Sequence, residues 1–193
     1  ELASLGYDVS IYEKNSNPGG RARKLEVNGF TFDMGPSWYW MPDVFEKFFA
    51  RHGKKPEDYY NLIKLDPGFS IVFDADDKLT VPASFDKLIQ TFEDIEKGSG
   101  AKLKKFMHKA GIKYKIGMTD LVYKPSHSIL EFINLQVVKG LLHLDIFTNF
   151  RKYVRKYFKN KKLIQLMEFP VLFLGATPKN TPALYSLMNY TGL

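Results

Sequence analysis

An acid at the end of an extended run, followed closely by a glycine pair, is the first arrangement in this chain with the capacity for chemistry. Tyr7-Asp8-Val9-Ser10-Ile11-Tyr12 intersperses apolar with polar side chains and ends at Glu13 and Lys14, with Asn17-Pro18-Gly19-Gly20-Arg21-Ala22 beyond. A strand ending in an acid presents its carboxylate at the sheet's C-terminal edge, where it can accept hydrogen bonds from both hydroxyls of an adenosine ribose. Glu13 is therefore the expected ribose ligand. Gly19 and Gly20 let backbone pass close to a bulky ligand, and Arg21 can neutralise a pyrophosphate or brace the loop.

The elements that must position these groups follow from local pattern. Glu1 to Leu5 reads as the last turn of a helix stopped by Gly6, which feeds a strand over Tyr7 to Glu13. Leu25 to Val27 and Phe30 to Phe32 flank Asn28-Gly29, the pair best suited to the positive φ angles of a tight hairpin. Pro42 opens a helix that closes near Gly53, and extended stretches over Ile63 to Leu65, Phe69 to Phe73 and Leu79 to Val81 predict an antiparallel sheet. From Ser84, a plausible N-cap, the period becomes helical through Phe85, Leu88, Ile89, Phe92 and Ile95, with Gly98 as a stop. Further helices are expected over Ala101 to Val122, Ile129 to Leu135, Val138 to Phe147, Asn149 to Phe158, Lys161 to Phe169 and Pro182 to Tyr190.

Glu13, a short spacer, Gly19-Gly20-Arg21-Ala22, and an extended segment closing on Asp33-Met34-Gly35-Pro36-Ser37 resemble, in that order, a known flavin-binding region. It is shared by amine oxidases, protoporphyrinogen oxidases and carotenoid desaturases. The run from Phe32 to Tyr39, with Met41-Pro42-Asp43-Val44-Phe45-Glu46, is similar to phytoene desaturases of bacterial and fungal type. Phe173-Leu174-Gly175-Ala176-Thr177-Pro178 with Thr181-Pro182-Ala183-Leu184-Tyr185 resembles a later segment of that family, in which a Gly-containing turn precedes a helix. The stretch from Ile95 to Leu166 carries no such motif.

The resemblance implies a mixed α/β fold, part of a two-dinucleotide-binding, Rossmann-like architecture with an antiparallel sheet and a helical substrate or membrane region. It implies FAD as cofactor, held by Glu13, Lys14, Gly19, Gly20, Arg21, Ala22, Gly35, Pro36 and Ser37. The implied activity is desaturation of a linear C40 polyene such as phytoene: FAD accepts a hydride at N5 while a proton leaves the adjacent carbon, creating a carbon-carbon double bond. A hydrocarbon offers no hydrogen-bonding handle, so selection must rest on an elongated apolar tunnel and the exclusion of water. The family's Gly-x-Gly-x-x-Gly turn and its C-terminal flavin motif are absent. The chain is accordingly expected to be a piece of a longer protein, inactive alone. Residues 1–60 are expected to belong to the FAD-binding domain, 61–95 to the sheet and helix of the substrate domain, and 96–193 to a helical substrate and membrane region.

Composition bounds these readings. With 45% hydrophobic residues, 16 Phe and 11 Tyr among 193, the chain can bury a core and still turn aromatic surface toward an apolar ligand or a membrane interface. Absence of cysteine excludes disulfides, thiolate metal sites and a Cys nucleophile. His52, His108, His127 and His143 lack ligand spacing, and no metal site is expected. No stretch reaches the ~20 uncharged apolar residues that would span a bilayer. The net charge of +7 is concentrated in Arg151, Lys152, Arg155, Lys156, Lys159, Lys161 and Lys162, and no acid lies between Asp145 and Glu168. Next to the apolar run from Ile129 to Phe150, that cluster is the composition of helices lying in a membrane interface. Phe147, Phe150, Arg151, Lys152, Arg155 and Lys156 are the expected membrane contacts of a cytoplasmic protein peripheral to the inner face of the membrane. The alternative is that these apolar residues pack inside the helical region. Nucleic acid is not an expected partner, because the chain carries no recognisable RNA-binding or helix-turn-helix signature. Two other functions share the architecture: another flavin oxidoreductase, such as a retinol saturase, amine oxidase or protoporphyrinogen oxidase, and a non-catalytic isoprenoid-binding protein.

Overall fold

The computed structural model describes residues 1–35, 38–125, 127–128 and 145–193, and it divides into two compact units, Glu1–Leu62 and Ile63–Leu193. The elements are a mixture of helices and two small antiparallel sheets, in keeping with the expected α/β class.

In the first unit a 3-10 turn, Ala3–Leu5, ends at Gly6 with φ 86°. Tyr7 to Glu13 then runs without a ladder partner among the described residues, so the expected strand is not formed there. Extended backbone becomes a strand only when a neighbour takes up its N–H and C=O groups. Its apolar side chains are correspondingly uncovered, Ile11 at 87% and Tyr12 at 95% of full exposure. Strands β1 (Lys24–Val27) and β2 (Phe30–Asp33) form the expected hairpin, with Val27 opposite Phe30 and Lys24 opposite Asp33. Asn28 and Gly29 take φ 52° and 80°, the left-handed pair that a two-residue turn requires. Helix α1 (Pro42–Arg51) starts on Pro, pairs Asp43 with Lys47 at 3.3 Å across one turn, and gives way to Gly53. Pro56 is the only buried residue among those described in this unit.

The hydrophobic core belongs to the second unit. Strands β3 (Phe69–Asp74) and β4 (Asp77–Val81) pair with Ile71 opposite Leu79, so that Phe69, Ile71 and Phe73 face the core while Ser70 and Val72 point outward. The extended run expected over Ile63 to Leu65 pairs with nothing among the described residues and is not a strand. Helix α2 (Phe85–Ile95) follows Ser84, whose backbone is extended but whose side chain caps nothing. Leu88 and Phe92 project from it into the core. Helix α3 (Ser99–Ile116) buries Leu103, Phe106, Met107 and Ala110. It passes without a break into a π-helical turn at Gly117–Leu121, so the helical stretch reaches to within one residue of the expected end at Val122.

Helices α4 (Phe150–Arg155) and α5 (Lys161–Glu168) are each capped by an asparagine: Asn149 Oδ1 accepts from the Lys152 N–H and Asn160 Oδ1 from the Lys162 N–H, both at 2.9 Å. A 3-10 run Phe169–Leu174, a second at Ala183–Ser186 and helix α6 (Leu187–Gly192) complete the unit. Phe92, Phe106 and Phe158 form its aromatic centre, with Phe92 and Phe158 edge to face at 5.3 Å. The helix expected over Ile129 to Leu135, and Val138 to Leu144 of the next, lie outside the described residues; Asp145, Ile146 and Phe147 form a turn.

Two charged groups organise this unit. Lys113 is wholly buried, donates to Ala183 O at 3.1 Å and Ser186 Oγ at 3.0 Å, and pairs with Asp145 Oδ2 at 2.9 Å. Its ammonium also stands 4.1 Å from the centre of the Tyr153 ring. Glu96, just past α2, accepts from the backbone N–H groups of Lys159 at 2.8 Å and Asn160 at 2.7 Å and pairs with Lys102 at 3.1 Å. It thereby fastens the end of α2 to the start of α5.

Candidate functional site

The hairpin sets the geometry around the glycine motif. Its ladder continues past Lys24 and Asp33 through Met34 N–H donating to Arg23 O at 3.0 Å, which draws the residues before β1 alongside those after β2. Gly19 and Gly20 sit at φ 115° and 55°, and the Ala22 N–H closes the turn on Gly19 O at 2.9 Å. A β-carbon on Gly35 would stand 2.1 Å from Arg21 O, so that position accepts no side chain. Two motifs separated by a hairpin in the sequence thus touch through bare backbone. Both members of the glycine pair were expected to let backbone pass close to a ligand. At Gly19 the neighbouring Arg23 Cα would lie 3.2 Å from an added β-carbon, whereas at Gly20 nothing lies within 4 Å and only the backbone angle disfavours a side chain. Gly20 borders open space that a ligand can enter.

Glu13 is exposed, and its Oε1 accepts from the Asn15 backbone N–H at 2.9 Å and from Asn15 Nδ2 at 2.8 Å. These bonds, that from the backbone first and that from the side chain next, hold the carboxyl below the usual range despite a small opposing effect of desolvation. Glu13 is therefore an anion at neutral pH, an acceptor suited to hydroxyl donors. Lys14 follows at the surface. The ionised Glu13 carboxylate and the left-handed glycine turn with open space beside it are groups that could hold the ribose and phosphates of a dinucleotide. Gly19, Gly20, Arg21, Ala22 and Gly35 are brought together; Pro36 and Ser37 lie outside the described residues.

The expected membrane contacts separate. Phe147 is 97% exposed, and Arg151, Lys152, Arg155 and Lys156 lie along the exposed side of α4 and its end. Phe150 is corrected: its ring is fully buried with Tyr153 and Val154, because it occupies the core-facing side of α4. The basic cluster is also less free than its sequence implies, since Arg155 pairs with Glu168 and Lys162 with Asp77. Residues 129–144, which carry most of the apolar run, lie outside the described residues.

One feature went unread in the sequence. Asp33, Tyr39, Val44, Phe45, Phe48, Phe49, Tyr60 and Leu62 line an open groove of about 900 Å³ in the first unit. The signal was present in Phe45, Phe48 and Phe49, spaced as one helical face, but the rings of Tyr39 and Tyr60 join it only through folding.

Residues 1–51 match the family described as an NAD(P)-binding Rossmann-like domain. Over 190 residues the chain is 42% identical to a carotenoid 3,4-desaturase of Haloarcula japonica, covering 98% of this chain and 38% of the relative. Over 187 residues it is 36% identical to a 4,4'-diapophytoene desaturase (4,4'-diaponeurosporene-forming) of Staphylococcus aureus, covering 97% of this chain and 37% of the relative. The chain therefore spans a little over a third of the length of the relatives it matches. Across nearly all its residues this chain is a relative of the carotenoid desaturases and corresponds to a segment of them.

Proposed function

We propose that the protein containing this chain is an FAD-dependent carotenoid desaturase that introduces double bonds into a linear polyene of the phytoene type. The observation that supports the reading is the contact of Gly35 with the Arg21 carbonyl, which sets Gly35 against the Gly19–Ala22 turn. The similarity to proteins named carotenoid and diapophytoene desaturases supports the substrate class.

In this reading the anionic Glu13 accepts from the ribose hydroxyls, the Gly19–Gly20 turn admits the pyrophosphate past open space, and Arg21 balances its charge. When bound there, FAD would supply the acceptor for a hydride from one substrate carbon, the neighbouring carbon losing a proton. The chain's own part is to bind and orient the dinucleotide through Glu13, Arg21 and the glycine turn. The protein docks peripherally on the inner face of the membrane, from which a water-insoluble substrate is drawn; exposed Phe147 and the basic side chains of α4 support that surface.

The test is anaerobic. Mixing the oxidised holoprotein with phytoene, or with 4,4'-diapophytoene in a parallel arm, should bleach the flavin and yield a polyene with one more double bond. A holoprotein that stays oxidised with every linear isoprenoid tried contradicts the assignment.

A further inference from the structure

Arg23 is the one sheltered residue at the start of the chain. Every other residue from 1 to 34 is exposed, whereas Arg23 is half-buried. The glycine turn shelters it: a β-carbon on Gly19 would stand 3.2 Å from Arg23 Cα and 3.4 Å from its Cβ, so Gly19, left-handed at φ 115°, lies directly against the root of the arginine side chain. The Arg23 backbone is extended, with φ −72° and ψ 157°, and its carbonyl accepts from the Met34 N–H at 3.0 Å. Turn and hairpin together therefore fix where the guanidinium leaves the backbone.

That cation has no counter-ion among the described residues. Arg51 pairs with Glu1 at 2.9 Å and Lys24 with Glu26 at 2.7 Å, but no carboxylate there forms a salt bridge with Arg23. Sheltering a cation from water without an anion costs free energy, so a half-buried arginine calls for a ligand that supplies the negative charge. The field of Arg23 reaches Glu13, whose carboxyl is held low first by the Asn15 bonds and, to a smaller extent, by this arginine. Guanidinium and carboxylate thus feel each other without pairing, beside a turn whose second glycine has nothing within 4 Å of an added β-carbon. An adenosine diphosphate group suits such a pair, since its ribose hydroxyls donate to a carboxylate and its phosphates accept from a guanidinium. In a dinucleotide each phosphate of the pyrophosphate carries a negative charge. Arg21 can balance one of them and leaves the other for a second cation.

We propose that Arg23 is a second phosphate ligand of the FAD, binding the pyrophosphate while Glu13 takes the ribose, an inference that rests on the FAD reading of this turn.

Competition binding tests it in the full protein containing this chain, stripped of flavin, with ADP and adenosine as probes against FAD. Arg23→Gln should weaken FAD and ADP by roughly ten- to a hundredfold and leave adenosine unchanged, because adenosine carries the ribose but no phosphate. Glu13→Gln, which acts at the ribose, should weaken both probes alike. The apoprotein Tm of Arg23→Gln should match that of the unaltered protein, since the guanidinium gives up no salt bridge to protein. An equal loss of ADP and adenosine on Arg23→Gln, or a lower apoprotein Tm with ADP affinity retained, would mean that Arg23 pairs with an acid elsewhere in the polypeptide; either overturns the proposal. Unaltered protein that binds neither FAD nor ADP would sink the FAD reading itself, and this inference with it. Unaltered protein that binds both, beside an Arg23→Gln variant that binds them as tightly, would remove the Arg23 assignment alone.

Discussion

Gly35 and Arg21 meet so closely that a β-carbon on the first would stand 2.1 Å from the carbonyl oxygen of the second. Gly35→Ala must displace backbone on one side of the turn, at a cost of about 1–3 kcal/mol, and should abolish stoichiometric flavin. Gly20→Val should behave differently. Its β-carbon meets no protein atom in the turn, so the loss of stability reflects backbone angle alone, roughly 1–2 kcal/mol, while flavin occupancy falls because the added bulk enters the ligand's space. Thermal unfolding and flavin absorbance on the same samples separate the two effects. Full occupancy in both variants would make the turn a structural connection only.

Glu13→Gln replaces an ionised acceptor with a neutral amide. Flavin affinity of the protein containing this chain should weaken roughly ten- to hundredfold, with Tm little changed because the side chain is exposed. Binding should also weaken in acid, as the carboxylate becomes protonated below the usual carboxyl range. Titration of apoprotein with FAD at neutral and acidic pH checks both statements.

How much of this was legible in the sequence depends on whether a residue's role is local. The Asn28-Gly29 hairpin and the helices that became α4 and α5 were readable, because tight turns and helical periodicity are dictated by nearby residues, whereas the strand expected to end at Glu13 and the Ser84 cap did not form. Phe150 was misread: in an apolar run beside basic residues it looks like an interfacial side chain, and only the docking of α4 shows that it faces inward. Lys113 escaped notice for the same reason. Nothing near it in the chain announces that Asp145, Ala183 and Ser186 will close around its ammonium.

Lys113→Ala should destabilise the second unit by about 3–5 kcal/mol, since it strands Asp145 and removes the donor to Ala183 and Ser186. Lys113→Met combined with Asp145→Asn should recover part of that loss, because the volume is kept and no unpaired charge remains. Chemical denaturation of the three proteins decides it; a double variant as unstable as Lys113→Ala would show that hydrogen bonding, and not the ion pair, dominates.

Glu96 gives stability an acid dependence. Desolvation raises its pKa, but the Asn160 and Lys159 N–H groups and Lys102 outweigh it, so the folded carboxyl titrates below the unfolded one. The unfolded state then binds more protons across that interval, and the contribution of Glu96, complete at neutral pH, is lost as pH falls through the folded value. Glu96→Ala should cost about 1–3 kcal/mol at neutral pH and flatten the acid limb of a Tm-against-pH curve. An unchanged acid limb would mean that Glu96 does not set the acid dependence.

Membrane docking, if it uses the basic side of α4, should depend on salt. Each Lys or Arg near an anionic surface contributes ~1 kcal/mol, so changing Arg151, Lys152, Arg155 and Lys156 together to Gln should release the protein from anionic vesicles at low salt, where the unaltered protein sediments with them. Arg155 should matter least, being already paired with Glu168. Equal sedimentation of both proteins would move the contact to another surface.

The turn joining Gly19–Ala22 to Gly35 is proposed to hold a flavin dinucleotide. Its most direct test is the nucleotide itself: the protein containing this chain is purified without added cofactor, denatured, and the released ligand identified and counted by mass and absorbance. FAD is expected at one molecule per chain, and it should be lost on Gly35→Ala. Release of a nicotinamide dinucleotide in its place, or an unaltered, folded protein that carries no nucleotide and binds no added FAD, would contradict it.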